Sequence, residues 1–200
     1  MQIRPLDVAG AFEISPAHWD DSRGTFLEWY RFDALEEATG RSLDLRQANV
    51  SVSKRGVVRG IHFADTPPGQ AKYVTVPHGA ILDFVVDIRV GSPTFGASDS
   101  VRLDDIDRRS LFIEEGLGHA FIALEEDTVV SYLVTGVYDP AHEHGISPFD
   151  TDIALPFPAE AGELIVSDKD RDAPTLAQAR EQGILPDFAA LRSIVPGGGA

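Results

Sequence analysis

Between Val58 and Tyr73 the chain reads VRGIHFADTPPGQAKY, placing Arg59, His62 and, after a proline-broken loop, Lys72 among apolar and β-branched neighbours. A histidine held near neutral pH can move a proton, and a lysine can meet a developing negative charge, so these types suit acid–base chemistry. A strict pleat sends Arg59 and His62 to opposite faces. If both serve one site, a bulge near Gly60 is required, and a glycine inside a strand often marks one. From this stretch alone His62 reads either as a satisfied core histidine or as a site residue.

The chain has no cysteine, which removes disulfides, thiolate nucleophiles and zinc–thiolate sites. Proton transfer then falls to histidine, tyrosine, lysine and carboxylates. His142 and His144 form an H-x-H pair that would be half of a metal site on a strand, but YDPAHEHGISPFD carries the proline and glycine spacing of a loop. The run Asp168, Lys169, Asp170, Arg171, Asp172 follows a short apolar strand and reads by itself as a solvated turn; DDSRGTFLEW reads as a hairpin turning at Ser22 to Gly24. No glycine-rich phosphate loop, G-x-S-x-G or H-E-x-x-H is present, so nucleotide hydrolysis, serine hydrolysis and zincin chemistry have no support.

The elements that must position these residues are mainly strands. Thirteen prolines and 18 glycines punctuate short β-branched runs, the pattern of an all-β sandwich or barrel. Leu82 to Val90 alternates, with Leu82, Phe84, Val86, Ile88 and Val90 on one face and Asp83, Asp87 and Arg89 on the other. Thr128 to Val134 puts Tyr132 on the face of Val130 and Val134. Gln47 to Ser53 collects Gln47, Asn49, Ser51 and Ser53 on one face, which must meet solvent or line a polar cavity. Short helices are predicted over Asp33 to Thr39, closed by Gly40, and Thr175 to Gln182, with Thr175 as N-cap. At 200 residues one domain suffices. We expect it over 1–188, with 189–200 a disordered tail. The formal net charge of −15 argues against nucleic acid, so any anionic ligand needs a local basic cluster. No apolar run reaches membrane-span length and no signal-peptide layout opens the chain, which leads to an expectation of a cytoplasmic protein without membrane partners.

Seven ordered segments, DDSRGTFLEWY, QANVSVSKRGVVRGIHF, PPGQAKYV, DIRVGSPTFG, GLGHAFIAL, SYLVTGVYDPAHEHGI and LIVSDKD, resemble the dTDP-4-dehydrorhamnose 3,5-epimerase family over roughly residues 1 to 188. The wording is similar to the branch that tailors deoxysugars for secondary metabolites. The resemblance implies a cupin-type antiparallel jelly roll (double-stranded β-helix) with a short C-terminal helical segment. It further implies inversion of carbon 3, and of carbon 5, in a dTDP-4-keto-6-deoxyhexose by enolate formation, without cofactor or metal. Strict 3-epimerisation is the alternative; a metal-dependent cupin and a non-catalytic nucleotide-sugar binder are the remaining ones. By the same resemblance His62 is the general base with Asp170 as its carboxylate partner, Tyr132 the general acid, and Lys72 and His119 contacts near the keto oxygen and sugar. Arg23, Glu28, Gln47, Asn49, Arg59, Glu143 and Lys169 match nucleotide-sugar contacts, and Phe26 with Tyr138 matches an aromatic pair on the thymine. A homodimer with shared active sites is implied as well. Two positions depart from the pattern: DIALPFP stands where a tryptophan-proline is common, and Ala120 where many members carry glycine.

Overall fold

The computed structural model describes residues 1–194. Two six-stranded antiparallel sheets face each other, as expected for the jelly roll. The first runs, in spatial order, β1 (Gln2–Pro5), β2 (Ala11–Ser15), β10 (Ser110–Ile113), β7 (Lys72–His78), β12 (Thr128–Val134) and β5 (Gln47–Ser53). The second runs β13 (Glu143–Gly145), β6 (Val57–Ala64), β11 (Gly118–Ala123), β8 (Ala80–Val86) and β9 (Ser98–Asp104), with β14 (Ile165–Val166) joining β6 in parallel. A separate hairpin, β3 (His18–Asp21) with β4 (Gly24–Leu27), pairs with neither sheet.

The inner faces bury Val74, Val76, Ile81, Val85, Leu103, Leu111, Phe121 and Val130 in one cluster between the sheets. A second cluster lies outside the second sheet, where Ile61, Phe63, Phe84, Val86, Ala120 and Ile122 are covered by Ile146, Ile153, Leu155, Leu176 and Ala179 of the C-terminal segment. Burying a side chain of this kind stabilises by about 1.5–3 kcal/mol relative to exposure. The unusual segment DIALPFP therefore has a structural occupation: Ile153 and Leu155 are buried and Phe157 meets Phe84 edge-on at 5.6 Å between centroids.

Several elements follow the sequence closely. Strands β5 and β12 have the expected ranges. Helix α1 (Phe32–Thr39) ends where Gly40 turns left-handed, and α3 (Leu176–Glu181) starts from a capping box between Thr175 and Gln178.

Four expectations are corrected. The alternating run from Leu82 stops pairing at Val86, because the Asp87 carboxylate accepts from Arg89, Ser92 and Thr94 and ties the chain into a turn. The charged run 168–172 is not a solvated turn but a short helix, α2 (Asp168–Arg171), capped by Ser167 with Asp170 turned inward. The H-x-H pair lies not in a loop but on and beside β13, paired with β6. Finally, the expected tail at 189–200 begins too early: α4 (Phe188–Ile194) is helical and buries Leu191, while 195–200 lie outside the described residues.

Candidate active site

Strand β6 carries the first arm of the site. His62 pairs with His119 of β11, and Arg59 with Phe121, so β6 uses three steps where β11 uses two. This is the bulge anticipated from Arg59, Gly60 and His62, and it turns Arg59 and His62 to the same inner side. Only glycine fits its apex: Gly60 has φ +118°, and a Cβ there would lie 2.4 Å from the His119 carbonyl oxygen.

Helix α2 supplies the carboxylate. His62 Nε2 lies 2.6 Å from Asp170 Oδ1, and Asp170 is 5% exposed. Burial raises the Asp170 carboxyl, but the His62 hydrogen bond and charge, with donors from the Gly60 and Ser167 side, outweigh it and hold the group below its ordinary value. An ionised carboxylate only accepts, so Nε2–H donates and Nδ1 keeps its lone pair. A cleft of about 450 Å³ opens here, walled by Arg59, His62, Tyr138, Glu143, Lys169 and Asp170 among others.

The facing sheet supplies the second arm. Tyr132 lies directly opposite Asn49 on one side and Val74 on the other; Val134 lies opposite Gln47 and Lys72. Directly opposed residues share a face. Lys72, Tyr132, Gln47 and Asn49 thus look toward the interior from which His62 and His119 look back. The Tyr132 hydroxyl is 3.3 Å from Ser51 Oγ, and its ring stands edge-on to His119 at 6.2 Å. Burial pushes the Tyr132 phenol well above its ordinary value, with Asp83 adding to the rise and Ser51 and Arg59 opposing it, so the hydroxyl keeps its proton at neutral pH. Burial pulls the Lys72 ammonium down, against the charges of Glu143 and Asp83.

One residue of this arrangement was given no chemical role by the sequence, which set it on a polar face with Asp87 and Arg89: Asp83. It is fully buried, its Oδ1 accepts from His119 Nε2 at 2.6 Å, and burial raises its carboxyl against His119 and Lys72. Its other oxygen has no hydrogen-bond partner. The available signal was an acid between Ile81 and Val85 on their own face, which marks a carboxylate pointing into a core rather than toward solvent.

The nucleotide contacts expected from the sequence divide in two. Gln47, Asn49, Arg59, Tyr138, Glu143 and Lys169 gather at the cleft or on the inner face leading to it; Gln47 Oε1 accepts from the Tyr138 backbone at 3.0 Å and its Nε2 donates to Asn49 at 2.7 Å. Arg23, Phe26 and Glu28 do not join them. Arg23 pairs with Asp21 at 2.6 Å, Phe26 is 67% exposed against Trp19, and Glu28 lies 3.7 Å from Arg31, all on or beside the free hairpin. The expected Phe26–Tyr138 pair is thus not assembled within one chain. The H-x-H pair holds a carboxylate: both rings donate to Asp65. Among the described residues no group of three or more histidines or carboxylates has a metal-binding arrangement.

The sequence profile of the family described as dTDP-4-dehydrorhamnose 3,5-epimerase matches residues 5–178. The chain is 54% identical over 195 residues to the dTDP-4-dehydrorhamnose 3,5-epimerase of Mycolicibacterium smegmatis, covering 98% of this chain and 96% of the relative. It superposes with TM-score 0.92 and 52% identity on a 4-keto-6-deoxy sugar epimerase from the novobiocin gene cluster of Streptomyces spheroides, across 95% and 94% of the two chains. A 3'-monoepimerase from Streptomyces bikiniensis, solved with dTDP-quinovose, aligns with TM-score 0.90 and 42% identity across 95% and 96%. With the two-sheet architecture, the His62–Asp170 pair and these full-length matches in hand, the chain belongs to the dTDP-4-dehydrorhamnose 3,5-epimerase family.

Proposed function

We propose that this enzyme inverts carbon 3 and then carbon 5 of a dTDP-4-keto-6-deoxyhexose through enolate intermediates. The observation that carries the reading is the placement of a carboxylate-held histidine and a buried phenol on facing sheets. His62 Nδ1 takes the proton from the carbon beside the ketone, while Asp170 fixes the ring and balances the imidazolium that forms. The electron pair moves onto the keto oxygen, where Lys72 offers preorganised positive charge, while His119, held by Asp83, contacts the sugar. Tyr132 then delivers a proton to the opposite face, giving inversion rather than simple exchange. Arg59 and Lys169 supply, against a net charge of −15, the local basic character a diphosphate needs.

A strict 3-epimerase is the second reading, favoured by the Streptomyces bikiniensis neighbour, a 3'-monoepimerase. Incubation with dTDP-4-keto-6-deoxyglucose in heavy water, read by NMR, separates the two: deuterium at carbons 3 and 5 supports double inversion, and deuterium at carbon 3 alone supports the single one. Absence of both would contradict the proposal.

We also infer a homodimer with shared active sites. The support is a hairpin carrying Arg23 and Phe26 that takes no part in lining the cleft beside His62, together with Val50 and Val52, 67% and 58% exposed on the edge strand β5. No described helix is long and apolar enough to cross a membrane; a nucleotide-sugar substrate supports our reading of the enzyme as cytoplasmic.

A further inference from the structure

The H-x-H pair that the reaction leaves unused closes a clasp. Asp65 follows the last residue of β6, and its carboxylate is gripped from both sides: His142 Nδ1 donates to Oδ2 at 2.9 Å and His144 Nε2 donates to Oδ1 at 2.6 Å. The backbone repeats the grip, since Asp65 N–H donates to the His142 carbonyl at 2.9 Å. Strand β13, which this clasp fastens, has only three residues and pairs Glu143 with Ala64, His144 with Phe63 and Gly145 with His62. A ladder that short orders a chain weakly by itself.

The fastened segment carries side chains of the cleft. Tyr138, Glu143 and His144 all line it, and Tyr138 is held at the segment's other end by the Gln47 side chain through its backbone N–H. The stretch 138–144 is thus tied at two points, by Gln47 and by Asp65, and the exposed loop between them is tied to itself through Asp139, which accepts from the Ala141 and His142 backbones. Fixing such a strap before the ligand arrives removes an ordering cost that binding would otherwise carry.

We propose that Asp65 is a positioning residue for the nucleotide end of the substrate: through His142 and His144 it holds the strap so that Tyr138 and Glu143 stand at the cleft before binding. This rests on the nucleotide-sugar reading of the same cleft. Asp65 touches neither reacting carbon nor base, so its loss falls on binding rather than on proton transfer. The groups facing it are His142 and His144, with Asp139 at 3.8 Å from His142 Nε2. Its carboxyl lies below its ordinary value, with the His142 hydrogen bond the largest cause, so at neutral pH Asp65 faces both rings as a carboxylate.

The test compares wild type, Asp65→Ala, Tyr138→Ala and the double variant, by calorimetric titration with dTDP alone and by steady-state kinetics with the keto-sugar substrate. Asp65→Asn, which keeps the shape and one acceptor oxygen, replaces the alanine variant if that one does not fold. We expect the dTDP Kd and the KM of Asp65→Ala to rise about fivefold or more, kcat to change less than about threefold, and the two substitutions to be non-additive because they act through one strap. A dTDP Kd within twofold of wild type overturns the proposal. So does a fall in kcat and thermal midpoint with KM unchanged, which a merely structural role predicts. Failure of wild type itself to bind dTDP overturns the nucleotide-sugar reading, and this proposal with it; normal wild-type binding with an indifferent Asp65→Ala overturns the clasp alone.

Discussion

His62 illustrates what a residue type can and cannot announce. Its histidine–glycine–arginine surroundings suggested a bulged strand, and the bulge is there, but the carboxylate that orients it comes from 108 residues away, in a run whose composition reads as a solvated turn. Asp83 was less legible still. Counting it with Asp87 and Arg89 as one polar face hid that it looks into the interior toward His119, whereas Asp87 and Arg89 pair with each other. If His62 is the base, His62→Ala lowers kcat by the ~10²–10⁴-fold typical of lost acid–base catalysis, with folding intact by circular dichroism. Lys72→Ala is expected to cost about 10²–10³-fold in kcat, the usual loss on removing one oxyanion-stabilising group. Asp83→Asn tests whether His119 needs its buried partner: a fall in kcat with an unchanged thermal midpoint is the expected result, and unchanged kinetics would remove Asp83 from the catalytic account.

At the scale of elements, period-two alternation located β5 and β12 correctly and also divided their faces correctly, yet it did not say which face looks inward. The amide and hydroxyl face of β5 turns toward the site, and Val50 and Val52 are left exposed. Alternation also ran past the end of β8, because it does not register a side chain that folds back onto its own turn. Asp87 is that side chain: it is fully buried, bound to Arg89, Ser92 and Thr94, and Arg89 in turn donates to the Ala9 carbonyl at 2.8 Å. Removing one partner of a buried pair leaves the other charge stranded, so Asp87→Ala is expected to destabilise by about 3–5 kcal/mol in denaturant titration. Burial raises the Asp87 carboxyl, but its donors hold it below the ordinary value. Its contribution is therefore present above the unfolded pKa and is lost as pH falls through the lower folded one. The acid-side slope of stability should shrink in the variant; an unchanged slope would mean Asp87 is not a source of it.

For the whole molecule, the all-β class was legible from the spacing of prolines, glycines and β-branched runs, and the jelly roll came with the family resemblance. A homodimer was implied by the resemblance alone, and the exposed face of β5 that supports it appears only once the sheets are built. The covered second sheet and the shared inner core lead us to expect residues 1–188 to unfold in one cooperative transition. The free hairpin and the open face of β5 lead us to expect a dimer by sedimentation. Val50→Asp is expected to weaken that dimer, since a charge placed on a buried apolar face is costly to desolvate. If the hairpin completes the partner's site, loss of the dimer raises KM with it. A wild-type monomer with full activity would end that part of the account.

Epimerisation in this cavity depends on base and acid acting from opposite walls. The most direct measurement follows Tyr132→Phe with the keto-sugar in heavy water, recording deuterium at carbon 3 and the configuration there in the same NMR spectra. The account predicts that His62 still exchanges the carbon 3 proton while inversion is lost. Inversion at the wild-type rate without the phenol, or loss of exchange and inversion together in a folded variant that still binds dTDP, would contradict the division of labour between the two walls.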